Sequence, residues 1–326
     1  MDNFKELQQE FATPKKIVIT THLRPDADAL GSSLAIYQLL INLGHEVHVI
    51  TPTDYPDFLR WMPFEKTVKV YTEDLTNNKE LINAADFIFC LDFSGKNRIG
   101  DEMSEVVFSS SSKKILIDHH LDAEDFADYQ LWVDSASSTC ELVYDFIKMF
   151  GDDTLIDIPT GECIYAGMMT DTGSFRYPST SKHVHLIIAH LMDVGVVHSK
   201  IHQLIYDNNT ESRLRLLGYA LSEKMTIIDE YHAAFIALSK EELQQFNAKP
   251  GDTEGIVNYA LSLKGIVFAA LIKEDEDMIK LSFRSKGDFP ANKFSKEHFN
   301  GGGHKNAAGG RSDLTFNETI AKFKGC

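Results

Sequence analysis

The sequence predicts an α/β fold. An N-terminal, mostly parallel sheet flanked by helices is followed by a smaller C-terminal α/β domain. Two observations carry this. Between residues 15 and 120, short apolar β-type runs alternate with helix-compatible or polar stretches, as when parallel strands are joined by crossover helices. From about residue 213 a second set of strand-like runs begins. The chain of 326 residues is long enough for each half to bury a core of its own.

In chain order, KKIVITTH reads as a buried strand. ADALGSSLAIYQLLINLG reads as a helix ending on Gly44 as its C-cap. EVHVIT, ADFIFCLD and KKILIDHH are further strands. Residues 120 to 210 look mainly helical, with STCELVYDFIKMFG and SKHVHLIIAHLMDVG the clearest periodic stretches. YHAAFIALS, KGIVFAALIKE and DMIKLSFRS are strand-like, with EELQQF and TEGIVNYALS helix-like between them. GGGHKNAAGG is the sole glycine cluster and reads as a loop running into a helix-compatible NAAGG. The domain boundaries expected are 1–190 for the first domain, a helical linker at 191–212 and 213–326 for the second.

Hydrophobic residues make up 43% and charged residues 25%, the balance of a soluble globular protein. No apolar run approaches the roughly 20 residues of a membrane span, so no membrane partner is expected. The acidic N-terminus resembles no secretory signal. Cys90, Cys140, Cys163 and Cys326 lie far apart and read as reduced thiols of a cytoplasmic protein. A net charge of −16 argues against coating long duplex DNA. Within that acidic chain, residues 280–311 form a basic island of seven Lys/Arg against two acids. Apolar helical surface around 183–205 offers a contact for a homodimer.

The strand ends share a chemistry. KKIVITTH leads into HLRPDAD with His22, Asp26 and Asp28; ADFIFCLD ends on Asp92; KKILIDHH ends on Asp118, His119 and His120. Asp171 follows an apolar, helix-like approach in AGMMTDTGSF. Ligands of parallel sheets bind beyond the carboxyl ends of the strands, so the first three groups should converge, with Asp171 joining from a neighbouring loop. An aspartate at one strand end is most often a turn former or helix cap. Several carboxylates together, however, do not stay ionised without cations. Oxygen ligands with a minority of imidazoles suit Mn or Mg, with Fe, Co or Zn also open. Two such ions about 3.5–4 Å apart serve phosphoester hydrolysis by activating a water, and Asp92 or Asp171 would bridge them. Because successive strand residues point to opposite sides, His119 and His120 are expected to face apart.

HLRPDAD, LDFSGKNRIG, IDHH and MTDTG resemble the four motifs of the DHH phosphoesterases, and GGGHKNAAGG resembles the substrate-binding motif of their DHHA1 domain. The resemblance runs from about residue 15 to 311. It implies two divalent ions, usually Mn²⁺: one on His22 and Asp26, one on Asp28 and His119, with Asp92 and Asp171 contributing to both. It also implies that Asp118 orients an imidazole, that His120 faces the substrate phosphate, and that the active site lies in the cleft between domains. Arg98, Arg284, Gly302, Gly303 and His304 are the implied substrate contacts. The compact form is most similar to the nanoRNase/pAp phosphatase group. The implied substrates are short RNA oligonucleotides and 3′-phosphoadenosine 5′-phosphate (pAp) or other small adenine nucleotides. Alternatives are a phosphodiesterase for linear pApA or cyclic di-AMP, a long-strand exonuclease, and a non-catalytic nucleotide sensor.

Overall fold

The computed structural model describes residues 1, 3–151, 153–249, 251–275 and 278–326. It divides into two compact units, Met1–Asn208 and Asn209–Cys326. The first holds six strands: β1 (Lys16–Thr20), β2 (Glu46–Thr51), β3 (Val68–Val70), β4 (Phe87–Leu91), β5 (Lys113–Asp118) and β6 (Tyr129–Trp132). All pair in parallel, in the order β3-β2-β1-β4-β5-β6. Alternate residues of the central strands feed two cores. Ile17, Ile19, Phe87, Phe89, Ile115 and Ile117 join Leu30, Leu34, Cys140 and Ile164 on one face. Val18, Ile50, Ile88, Cys90 and Leu116 join Ile82, Met103 and Val107 on the other. A sheet buried on both faces needs apolar residues at successive positions, which is why these runs look continuous. Fully burying each such side chain is worth roughly 1.5–3 kcal/mol.

Three helices cover the first face: Ala27–Asn42, Thr139–Lys148 and Ile158–Asp171. Each starts on an oxygen-bearing cap, Asp26, Ser138 and Asp157, whose side chain accepts from backbone amides of the first turn. Leu191, Ile201 and Ile205, from the next two helices, and Val196 between them belong to the same core. The stretch from 120 to 210 is thus helical as expected, except that β6 adds an edge strand. Its alternating burial marks one buried face and one exposed. Among the described residues no single helix is long and apolar enough to cross a membrane.

The second unit holds β7 (Met225–Ile228), β8 (Ala233–Leu238), β9 (Phe268–Glu274), β10 (Ile279–Ser285), β11 (Gly302–His304) and β12 (Ala307–Ser312). Their order is β11-β12-β10-β9-β8-β7, with β8 and β9 parallel and the other pairs antiparallel. NAAGG is therefore strand, not helix. Ala307 to Ser312 pair with β10, and the three glycines lie at and before a short edge strand. A Cβ on Gly301 would fall 2.0 Å from the Gly309 carbonyl oxygen and 2.1 Å from Ser295 Oγ. Close backbone packing is what that glycine serves.

Candidate metal centre

The chain leaves β1 toward β2 and β3 on one side, while β4, β5 and β6 build out on the other. This reversal between neighbouring strands opens a crevice at their carboxyl ends. Into it the structure brings His22, Asp26 and Asp28 from the β1 exit, Asp92 after β4, and Asp118, His119 and His120 from the β5 end. Asp171, the last residue of the helix Ile158–Asp171, reaches the same place, its Oδ2 lying 3.4 Å from His119 Nε2.

The donor atoms fall into groups. His22 Nε2 is 3.3 Å from Asp92 Oδ2 and 4.0 Å from Asp26 Oδ2. His119 Nε2 is 3.6 Å from Asp92 Oδ1, 3.9 Å from Asp28 Oδ2 and 3.4 Å from Asp171. The two Asp92 oxygens therefore face different histidines. Asp92 itself has a φ of 63°, a left-handed backbone that a non-glycine residue holds only when its surroundings impose it. His22 Nδ1 lies 2.9 Å from the Leu23 carbonyl oxygen and His119 Nδ1 lies 3.2 Å from that of Ala136. A carbonyl can only accept, so both Nδ1 atoms carry the proton. In the neutral rings Nε2 is then the lone pair aimed at the carboxylates, the arrangement a metal-binding imidazole needs.

Asp26 splits its oxygens. Oδ1 accepts from the amides of Asp28 and Ala29 as a helix cap, and Oδ2 is the oxygen nearest His22. Asp28 is fully buried, its oxygens accepting the amides of Cys140 at 2.9 Å and Thr139 at 2.7 Å. These amides open a helix, so the carboxylate sits where the helix dipole favours negative charge. Thr139 also donates its hydroxyl to Asp92 Oδ1 at 2.8 Å. Residue-by-residue reading passes over Thr139, although the Ser138–Glu141 start signal of its helix is visible in SSTCE.

His120 does not face away from His119. Strand β5 ends at Asp118, alternation stops there, and the two rings stand edge to face with centroids 4.9 Å apart. They still differ in surroundings. The His120 Nδ1 is 2.8 Å from Asp118 Oδ1 and its side chain is 17% exposed, against 4% for His119. The imidazole that Asp118 orients is His120.

The charges explain how the side chains of the centre are protonated. Burial opposes a charged His22, but the Asp92 carboxylate beside it, with Asp26, overrides this and raises its pKa to about 9. Burial, reinforced by the Asp92 charge, raises Asp28 to about 7. Asp92 is held below the usual carboxylate range despite its burial, because His22, His120 and His119 surround it. Raised values for His22 and Asp28 mean that the fold binds more protons than the unfolded chain. That stability is complete below their ordinary values and is lost as pH rises through about 7 and about 9. A cation must displace the same protons. Mn²⁺ affinity is therefore expected to rise from about pH 6 to about pH 8.5, with proton release detectable by calorimetry in buffers of different ionisation enthalpy. A pH-independent affinity would contradict this protonation scheme.

Arg98 is exposed on the turn after β4; its backbone oxygen accepts from Leu23 N at 2.8 Å, and its charge opposes protonation of His22. In the second unit Arg284 pairs in register with Ala307, which pairs with His304. Arg284 and His304 thus share one face of the sheet. Gly302 belongs to that face, while Gly303, opposite Ala308, belongs to the other. The basic island is partly neutralised: Lys305 meets Asp288 at 2.8 Å, and Lys280 bonds Asp275.

Residues 16–168 match the model of the DHH family, N-terminal domain, and residues 229–324 match that of the DHHA1 domain. The crystal structure of an exopolyphosphatase-related protein from Bacteroides fragilis is 43% identical, with a TM-score of 0.94 over 99% of this chain and 95% of that one. The bifunctional oligoribonuclease and PAP phosphatase NrnA of Bacillus subtilis is 28% identical over 93% of this chain and 91% of its own. NrnA of Thermus thermophilus is 29% identical over 90% and 83%.

Proposed function

We propose, from the premise that this chain belongs to the DHH family and is one of its phosphoesterases, that it hydrolyses short RNA oligonucleotides to mononucleotides and dephosphorylates pAp. The observation that carries the metal-dependent chemistry is Asp92, whose two oxygens face two separate histidine-containing groups. Alignment with the NrnA proteins over most of both chains supports the substrate class.

In this reading His22 and Asp26 would hold one divalent ion, Asp28, His119 and Asp171 the second, and Asp92 would contribute to both, the ions being Mn²⁺ in the first instance. The donor set fits: four carboxylates against two imidazoles whose lone pairs point inward form a site for hard cations. When bound, such a pair polarises a phosphoryl oxygen and lowers the pKa of a water. The protein supplies the rest. Asp118 accepts from Nδ1–H of His120, which leaves Nε2 to meet the substrate. There it stabilises charge developing on phosphate oxygens or, when protonated, passes a proton to the leaving oxygen. Arg98 would contact a phosphate. Arg284, Gly302, Gly303 and His304, from the second unit, would hold the nucleotide. The buried free thiols of Cys90, Cys140 and Cys163 suit the reducing cytoplasm.

The test is purified protein with Mn²⁺ and a labelled RNA dinucleotide, with pAp, linear pApA and cyclic di-AMP compared under the same conditions. Release of mononucleotide from RNA and of phosphate from pAp is expected. Faster turnover of cyclic di-AMP or pApA would reassign the substrate. No hydrolysis of any of them would remove the enzyme reading in favour of a nucleotide sensor.

A further inference from the structure

Asp171 ends its helix at an abrupt reversal. Gly173, Ser174 and Phe175 have consecutive φ values of 57°, 62° and 62°, and two of these three are residues that resist the left-handed region. The turn folds back on the helix: Ser174 N donates to Met169 O at 2.7 Å, and Phe175 N to Thr172 Oγ1 at 3.0 Å. A reversal so disfavoured by its own backbone needs an outside hold. One comes from the helix His198–Tyr206, where His202 Nε2 lies 3.0 Å from Ser174 Oγ. His202 Nδ1 is 3.0 Å from the His198 carbonyl oxygen, one turn earlier. Nδ1 must therefore donate, and Nε2 accepts the Ser174 hydroxyl proton. Tyr165, on the same helix as Asp171, packs its ring 5.5 Å from that of Phe175 and 6.1 Å from that of His202.

We infer that His202 is a positioning residue for the metal centre: through Ser174 it latches the strained turn that aims Asp171 at His119. This rests on the metal-dependent reading of the site. His202 lies 31 positions beyond Asp171 in sequence, and no feature of HSKIHQLIY marks it for this task. Loss of the latch lets the turn relax and the Asp171 carboxylate drift. It leaves the His22–Asp26–Asp92 group, on different elements, in place.

The experiment titrates metal-stripped protein with Mn²⁺, followed by calorimetry and by the electron paramagnetic resonance of free Mn²⁺. Wild type is expected to take up two ions. In His202→Phe, which keeps a ring beside Tyr165 but accepts no hydrogen bond, one ion is expected to weaken about 10- to 100-fold, the usual effect of losing an outer partner of a ligand. The other ion should be unchanged. Ser174→Ala should match it, the double variant should be no worse than either single one, and His202→Gln should recover much of the loss. Ser174→Gly separates strain from the hydrogen bond: it removes the hydroxyl but also relieves the left-handed backbone, so the melting temperature should hold or rise and the same ion should weaken less than in Ser174→Ala. Wild-type affinity for both ions in His202→Phe and Ser174→Ala would overturn this inference alone. A wild-type protein that takes up no Mn²⁺ would overturn it together with the metal reading.

Discussion

Asp92→Asn is expected to abolish measurable hydrolysis of an RNA dinucleotide and to lower Mn²⁺ stoichiometry. Asparagine keeps the shape and can still accept the Thr139 hydroxyl, so folding should survive while the charge is lost. That charge faces His22 through one oxygen and His119 through the other. Its loss should cost more than the roughly 10–100-fold that follows removal of an outer partner. His120→Ala is the control in the same assay. It removes a side chain bonded to Asp118 and more exposed than His119, so ion uptake should persist while turnover falls. Activity of Asp92→Asn within tenfold of wild type would mean that the two groups do not act through this carboxylate. Equal loss of Mn²⁺ in His119→Ala and His120→Ala would refute the division between the adjacent imidazoles.

Gly167→Ala, a single added methyl inside a helix, is expected to damage both stability and the site. Gly167 lies in the helix Ile158–Asp171, facing the helix Ala27–Asn42. A Cβ there would fall 2.3 Å from Cys140 Sγ, 2.7 Å from Asp28 Oδ1 and 3.0 Å from Asp28 Cα. The backbone atom cannot yield cheaply, and the carboxylate is pinned by two amide donors. Overpacking of this kind costs about 1–3 kcal/mol, which in a domain of this size lowers the melting temperature by several degrees, at ~2–4 °C per kcal/mol. Because the displaced group is Asp28, Mn²⁺ uptake should weaken along with the fold. An unchanged melting curve and unchanged Mn²⁺ affinity would show that the helices part without consequence.

Much of this architecture is legible without coordinates, because the signals are local. Apolar runs in β1, β4 and β5 end on acids and histidines, and a parallel sheet gathers such ends at one edge whatever the crossovers look like. The helical approach to Asp171 shows in its composition. Less legible are features whose reasons are distant in sequence. The hairpin of β11 and β12 looked like loop and helix because its glycines answer to close backbone approach, not to strand propensity. Alternation extended one step past β5 puts His119 and His120 on opposite sides, but the strand stops at Asp118.

The residue types at the candidate centre, and their convergence at the strand ends, were determined by the sequence alone. Chemistry and strand periodicity are written in neighbouring residues. Only the tertiary structure decided which oxygen of Asp92 meets which ring, that the Thr139 and Cys140 amides hold Asp28, that Gly167 makes room for it, and that His202 latches the turn after Asp171. These relations join atoms separated by tens of residues, and their geometry follows from how the helices pack on the sheet, which no local pattern records.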